Sequence, residues 1–213
     1  ELKSWGWEAS LSYRGKIGEN FNFTISGNIS DNQNELVSYG GNTNTIKEGV
    51  NTLIEGESLN TIWGYKTAPG FINSQEQLDN APFYNNRTGI GDVEYIDQNG
   101  DGRINVGGGN IEDHGDLVKL GNNQSRYLYG LTFKADWKSI DFSVFFQGVG
   151  QRTFIPSIYL QQPFIYSWIQ PMSIHRDFWT PDNPDAAFPR PFLSGNHNYA
   201  VSDKWIVDGS YIR

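Results

Sequence analysis

The chain lacks cysteine and long apolar runs, and each absence excludes a class of protein. Without cysteine, a disulfide framework, a thiolate metal site and a cysteine nucleophile are all excluded. No run of about 18 apolar residues occurs, which excludes a protein that crosses a membrane with helices. Cations are also scarce, because 16 lysine and arginine residues stand against 24 acidic residues and leave a net charge of -8. This balance argues against nucleic acid as a partner, since binding phosphate requires clustered cations.

Aromatic residues and glycine are abundant instead. Aromatic residues make up 15% of the chain and glycine occurs 24 times, while the hydrophobic fraction is only 37%. Few segments show the helical period of 3.6 residues. The composition therefore favours β structure with long polar loops.

Four segments alternate apolar and polar side chains with period two. The apolar set lies at odd positions in residues 5–14, 21–30 and 126–137, and at even positions in residues 140–149. In the first segment this set is Trp5, Trp7, Ala9, Leu11 and Tyr13. Such alternation predicts strands with one apolar face and one wet face.

The length of these segments favours a transmembrane β-barrel over a soluble β-sandwich, which would show the same alternation. Each run is about 10 residues, close to the length that a tilted strand needs to cross a bilayer and longer than the soluble average. Aromatic residues also lie toward the ends of the apolar faces, as in the interfacial girdles of barrels. These girdle candidates are Trp5, Trp7, Tyr13, Phe21, Phe23, Tyr127, Tyr129 and Trp137.

The connections between the segments alternate between very short and very long. Outer-membrane barrels have short periplasmic turns and long extracellular loops, so residues 15–20 and Lys138-Ser139 are expected in the periplasm. We therefore predict an all-β fold, part of an antiparallel transmembrane barrel, over residues 1–213. Its strands are expected at about residues 5–14, 21–30, 126–137, 140–149 and 205–213, with extracellular loops at 31–125 and 150–204.

One run in the first long loop predicts a calcium site. In Asp97-Gln98-Asn99-Gly100-Asp101-Gly102, side-chain oxygens at alternate positions can converge on a hard cation while the glycines allow the tight curl. Position 12 is Gly108 and not glutamate, which excludes an EF-hand. The expected ligands are Asp97, Asn99, Asp101, the carbonyl of Arg103 and Asp116. The alternative is a pair of tight turns without a metal.

Five loop aromatics are candidates for binding a substrate by stacking on sugar rings. They are Trp63, Tyr65, Tyr84, Tyr166 and Trp168. The alternative for each is a role in anchoring one loop to another. No catalytic residue is predicted, because the usual nucleophile, zinc and phosphate motifs are absent and His114, His175 and His197 are scattered. A pair of glycosidase carboxylates stays open, since the distance between them is spatial.

Ordered motifs along nearly the whole chain resemble the late barrel segments of SusC/RagA proteins. The most specific stretch is Gly91-Asp92-Val93-Glu94-Tyr95 leading into residues 97–102. Further matches in order are Gly6-Trp7-Glu8, Trp63-Gly64-Tyr65-Lys66, Arg126-Tyr127-Leu128-Tyr129-Gly130, Phe145-Phe146-Gln147-Gly148, Phe178-Trp179-Thr180-Pro181 and Ser202-Asp203-Lys204-Trp205. The insertion at residues 106–115 departs from the family. It separates Asp101 from the acidic residue that follows closely in the family, and Asp116 is the best match to that residue as the final calcium ligand.

The resemblance implies an outer-membrane importer of a Gram-negative bacterium. In that family a 22-stranded barrel surrounds an N-terminal plug, takes energy from TonB and is covered by a SusD-like surface lipoprotein. The expected substrate is a large nutrient such as a glycan, and the expected surroundings are outer-membrane lipid. The chain is expected to be a carboxy-terminal portion without the plug. The two alternatives are a secreted calcium-stabilised β-sandwich that binds carbohydrate and a glycan-cleaving enzyme.

Overall fold

A computed structural model describes residues 1–41, 44–51, 53–166, 168–193 and 197–213. The strands are β1 Leu2–Ile17, β2 Phe21–Leu36, β3 Gly49–Asn51, β4 Thr61–Gly64, β5 Val118–Asn122, β6 Arg126–Trp137, β7 Ile140–Gln151, β8 Thr153–Phe154, β9 Val207–Asp208 and β10 Tyr211–Ile212. The helical elements are α1 Gln75–Asn80, α2 Ile158–Gln161 and a 3-10 turn at Ser173–Arg176. Within the described ranges, no helix is long and apolar enough to span a membrane.

The long strands form one antiparallel sheet in the order β1-β2-β6-β7-β10. The register places apolar side chains opposite one another across the strands. Ile25 of β2 faces Tyr13 on one side and Phe133 on the other, and Phe133 faces Val144. Because side chains opposite one another lie on the same face, the apolar sets of the four strands form one continuous surface.

This apolar surface is open, which distinguishes a barrel wall from a sandwich. Leu11 is 78% exposed and Phe142 is 56% exposed. In a β-sandwich such side chains would be buried against a second sheet. The β-sandwich alternative is therefore wrong, and the fold is part of an antiparallel barrel whose apolar face meets lipid.

The opposite face of the sheet is polar and also open. Ser12 and Ser26 are hydrogen-bonded through their hydroxyls at 2.8 Å, and the amide of Asn22 donates to Asp136 at 2.6 Å. This face is the lumen face of the barrel wall. Between Tyr127 and Trp137 the apolar band spans ten residue steps, or about 25 Å when the strand is tilted by about 40°.

Strands β1 and β2 are longer than the alternation predicts, at 16 residues each. On β2 the apolar set ends at Ile29 while the ladder continues to Leu36, with Trp7 and Trp5 of β1 opposite Asp31 and Gln33. In this upper part the positions that continue the apolar phase are polar, namely Asp31, Gln33 and Glu35. The predicted strand at 205–213 is shorter than expected, because only β9 and β10 are regular there. Alternation of apolar and polar residues thus predicts the part of a strand that crosses the membrane, but it does not predict the polar extension of the strand beyond that part.

The two long connections are more ordered than their sequence predicts. They contain a second sheet in the order β3-β4-β5, and most of the buried side chains among the described residues. We call residues 37–125 and 152–208 the loop unit. Its core comprises Ile46, Ile54, Trp63, Tyr65, Phe71, Val93, Tyr95, Ile104, Leu117, Ala186 and Ala200. Both connections contribute to this core, so they fold together as one body.

Candidate functional site

Three of the five aromatic side chains that were predicted to bind substrate are core residues. Trp63 is 6% exposed and Tyr65 is 2% exposed, and Tyr84 packs against the same core. Tyr65, Tyr84 and Tyr95 form a cluster with ring centroids 4.8 to 6.1 Å apart. Burial raises the pKa of Tyr84 to about 12, with a further contribution from the charge of Glu48. The burial of Trp63 and Tyr65 favours the alternative in which they anchor the loops, and Tyr84 is half-buried beside them; a ligand role for these residues stays a prediction.

The other two predicted aromatics are open to solvent. The rings of Tyr166 and Trp168 are nearly parallel, at 5°, with centroids 4.9 Å apart. Trp168 is 76% exposed and Tyr166 is 44% exposed. An indole that is stacked on one side and free on the other offers a flat apolar platform to a ligand.

The predicted calcium loop adopts a tight curl that its own backbone stabilises. The carboxylate of Asp97 accepts hydrogen bonds from the backbone N–H groups of Asn99, Gly100 and Gly102, at 2.6 to 3.1 Å. The N–H of Gly102 contributes most to lowering the pKa of Asp97. Asp101 accepts from the N–H of Arg103 at 2.7 Å. Gly100 and Gly102 both lie in the left-handed region, at φ of 79° and 77°, which explains why glycine is needed at these two turns.

Asp116 joins the two ends of this loop. Its buried carboxylate accepts from the N–H of Gln98 and from the N–H of Asn105, each at 2.8 Å. In the part of the chain that the structure describes, no three acidic, histidine or cysteine side chains gather closely enough to hold a metal ion. The oxygen donors of the loop suit calcium in kind. The calcium set therefore stays a prediction, whereas the role of Asp116 in closing the loop is visible in its hydrogen bonds.

A buried carboxylate that the sequence reading did not single out lies at the centre of the loop unit. Asp92 has no solvent exposure and accepts hydrogen bonds from Arg190 at 2.7 and 2.8 Å, from Asn198 at 2.9 Å and from His197 at 3.1 Å. The N–H of Gly89 donates to it as well, at 2.8 Å. Three of these partners come from the second long connection. Asp92 therefore ties the two connections together through charge and hydrogen bonds.

Two opposing effects act on Asp92. Burial raises its pKa, but the hydrogen bonds from Arg190, His197 and Asn198 outweigh burial and hold the pKa below the usual value for aspartate. The carboxylate is therefore ionised at neutral pH, as a buried partner of arginine should be. Burial also raises the pKa of Tyr199, which lies near the same charge.

The neighbouring backbone also requires a specific residue. Gly91 has a φ of 90°, and a side chain there would collide with the ring of Trp179 at 2.4 Å. The indole N–H of Trp179 in turn donates to Asn73 at 2.7 Å. Gly91 and Asp92 belong to the motif that carries the family resemblance, so that motif has a structural role in joining the connections.

The three histidines lie apart from one another, as their sequence positions suggest. His175 is buried, with hydrogen bonds to the N–H of Met172 and the carbonyl of Leu160 at 3.0 Å. His197 contacts Asp92, and His114 lies 5.4 Å from the ring of Trp63. Each imidazole has a packing or hydrogen-bonding role of its own.

A further exposed ring lies on the lumen face and was missed in the sequence reading. Phe145 of β7 is 57% exposed and stands opposite Thr132, among the polar positions of the sheet. The signal was the pair Phe145-Phe146, in which one of two adjacent rings in a strand must face the wet side.

Comparison with known proteins gives relatives of one kind. No protein-family profile matches the chain. TonB-dependent receptor P26 of Formosa agariphila is 28% identical over 219 residues, which cover 100% of this chain and 21% of that protein. TonB-dependent receptor P39 of the same organism is 27% identical over 173 residues, covering 66% of this chain and 16% of that protein. The chain therefore spans about a fifth of the length of these relatives.

Solved structures show the same fold at lower sequence identity. The RagAB peptide transporter matches with a TM-score of 0.67 and 14% identity, over 100% of this chain and 22% of that chain. The RagAB peptide importer in its closed-closed state matches with a TM-score of 0.64 and 13% identity. At such identities the likeness concerns the fold alone.

Proposed function

We propose that this chain is a segment of a SusC/RagA-type TonB-dependent receptor in the outer membrane of a Gram-negative bacterium. From this premise, the complete protein imports large nutrients. Oligosaccharides are the proposed substrate class. TonB and a SusD-like surface lipoprotein are the proposed partners. The proposed mechanism is transport by binding and release, without cleavage of the substrate.

The single observation that carries the proposal is the two-faced sheet. Its apolar face is exposed at Leu11, Leu131 and Phe142, and its opposite face carries serines, asparagines and charged residues. A strand with these two faces is stable where lipid covers one side and water the other. Such a wall encloses a polar passage, which is what a hydrated substrate requires.

The exposed Tyr166 and Trp168 pair supports oligosaccharides as the substrate class. A pyranose ring has an apolar CH face that stacks on an indole, and its hydroxyls remain in water. The pair is also part of the loop unit, at the mouth of the barrel wall. A substrate that stacked here would be bound before it enters the lumen.

Calcium is the proposed cofactor of the loop unit. Asp97, Asn99, Asp101, Asp116 and the carbonyl of Arg103 would supply the oxygen ligands. An irregular cage made only of oxygen ligands suits calcium better than magnesium or zinc. In this proposal the ion has a purely structural role.

Deleting the gene in its native host tests the import proposal. We expect the mutant to lose growth on at least one oligosaccharide while it grows normally on the constituent monosaccharide. We also expect the tagged full-length protein to fractionate with outer membranes and to co-purify with a lipoprotein. Because the solved relatives are peptide transporters, growth on oligopeptides is the parallel arm. Loss of growth on peptides alone would contradict the oligosaccharide proposal.

A further inference from the structure

The loop unit contains a second carboxylate that joins its two connections, and the partners of this carboxylate differ from those of Asp92. Glu48 directly precedes β3 and is half-buried. Its carboxylate accepts hydrogen bonds from the backbone N–H of Val201, at 3.2 Å, and from the hydroxyl of Tyr65. Both donors are neutral, whereas the carboxylate of Asp92 is bound by a guanidinium.

The two connections meet at the backbone beside this carboxylate. The N–H of Tyr65 donates to the carbonyl of Val201 at 2.8 Å, so the partners of Glu48 are themselves hydrogen-bonded to each other. On the other side, the amide of Asn51 donates to the carbonyl of Lys47 at 2.7 Å and fixes the turn that carries Glu48. The carboxylate is therefore held in place from both connections.

The groups around Glu48 provide no positive charge. No ion pair to Glu48 forms in the part of the chain that the structure describes. The titratable groups that its charge reaches are the hydroxyls of Tyr65, Tyr84 and Tyr95, which burial keeps protonated. Asp116, whose charge also acts on Tyr65, is an acid as well. Burial therefore outweighs the two hydrogen bonds and raises the pKa of Glu48 above the usual value for glutamate.

The two carboxylates of the loop unit consequently respond to pH with opposite signs. The pKa of Asp92 is lowered, so Asp92 stabilises the unit when it is ionised. The pKa of Glu48 is raised, so its contribution to stability is complete below the usual pKa of glutamate and is lost as the pH rises through the raised pKa. A protonated Glu48 can still accept from the N–H of Val201, and it needs no counter-ion.

We infer that Glu48 is a pH-dependent joint between the two connections, which is closed while its carboxyl group is protonated and loosens when the carboxylate ionises. The ionised group is better solvated in water than beside three tyrosines. By turning to water it leaves the N–H of Val201 without its acceptor. The loop unit is then firmer in an acidic medium than in an alkaline one. This inference goes beyond the proposed function, because it holds for any imported substrate.

Hydrogen–deuterium exchange of the full-length protein in lipid nanodiscs tests the joint, from about pH 5 to about pH 8. After correction for the intrinsic effect of pH on exchange, protection of the peptide that contains Val201 should fall by about threefold or more as the pH rises. Glu48→Gln has a neutral side chain of the same shape and should keep high protection over the whole range. The peptide that contains Gly89, whose N–H donates to Asp92, should show constant protection in both proteins.

Two further variants separate the joint from a general effect of charge. Glu76→Gln removes an exposed carboxylate from α1 of the same unit and should keep the pH dependence of the wild type. Tyr65→Phe removes a donor that stabilises the ionised form of Glu48. This change should make the fall in protection larger and extend it to higher pH. The second variant also provides a test if Glu48→Gln does not fold.

Three results would overturn the inference. If Glu48→Gln shows the same pH dependence as the wild type, another group is responsible for the loosening. If protection at Val201 in the wild type is constant at every pH, the ionised carboxylate is tolerated where it lies. If protection rises with pH, Glu48 stabilises the unit as a carboxylate, which is the opposite sign.

Discussion

The transmembrane sheet and the loop unit are stabilised in opposite ways. In the sheet both faces are exposed, and the described contacts between strands are ladders and pairs of opposing side chains. In the loop unit an apolar core and the buried carboxylate of Asp92 hold together two connections that are far apart in sequence. The sheet thus depends on lipid around it, whereas the loop unit contains its own interior. Substitutions should be able to damage either region without the other.

The largest effect is expected in the loop unit, from Asp92→Ala. The change leaves Arg190 and His197 without their partner, and breaking a buried ion pair in this way costs about 3 to 5 kcal/mol. Limited proteolysis of the full-length protein in membranes should show cleavage within residues 37–125 and 152–208. The barrel should keep its resistance to unfolding in detergent.

Asp79→Ala is the control for this change. Asp79 is an exposed aspartate in α1 of the same unit, and its loss should leave protease resistance unchanged. Equal sensitivity of the two variants would mean that the unit does not depend on the hydrogen bonds to Asp92. Loss of the barrel in Asp92→Ala would mean that the two regions are not separable.

A slightly smaller effect is expected in the sheet. Leu131→Arg places a cation on the lipid face and should cost about 2 to 4 kcal/mol near the middle of the bilayer. Thr132→Arg, one residue along, points into the lumen and should cost much less. Reversible unfolding in bilayers measures both values. Similar costs for the two variants would mean that the assigned phase of β6 is incorrect.

Two tryptophans of the loop unit sharpen the contrast between folding and binding. Trp168→Ala should weaken binding of an oligosaccharide by about 1 kcal/mol, or roughly fivefold, and leave stability unchanged because the ring is exposed. Trp63→Phe should do the reverse, since the indole lies in the core. Calorimetry of both variants measures the affinity for the oligosaccharide, and proteolysis measures their stability. Tyr159→Ala, which removes another exposed ring, is the control. A stability loss in Trp168→Ala would contradict the prediction.

The smallest effect is expected at the proposed calcium loop. Asp101→Asn keeps an acceptor for the N–H of Arg103 but removes a charge from the loop. In millimolar calcium, the wild-type protein should resist cleavage at residues 97–116 a few-fold better than in EGTA, and the variant should lose most of this difference. If calcium protects the variant and the wild type equally, or protects neither, the loop is a pair of turns without a metal.

Alternation of side chains was enough to predict the membrane-crossing strands, because lipid and water impose a period of two. Tyr127 to Trp137 keep this phase along β6, and the register with β2 and β7 follows it. The loop unit has no such periodic constraint. Its core residues are chosen by contacts between distant segments, so Trp63, Tyr65 and Tyr84 gave the same signal in the sequence as the exposed Trp168.

The candidate site shows the same limit. Asp92 stands in a recognisable motif, but its partner Arg190 lies 98 residues away and no local pattern joins them. Phe145 interrupts an otherwise polar phase of β7, so only the adjacent pair Phe145-Phe146 marks it in the sequence. In contrast, the curl at residues 97–102 was predictable, since Asn-Gly and Asp-Gly pairs determine their own turns.

The extension of the first hairpin beyond the apolar band sets the height at which a ligand first meets the protein. Trp7 and Trp5 of β1 pair with Asp31 and Gln33, so the aromatic band of the wall ends near Gln33 and β2 rises three residues above it, to Leu36. With about 3.4 Å for each residue and a tilt of about 40°, this is roughly 8 Å. A ligand therefore meets the rim of the wall close to the membrane surface.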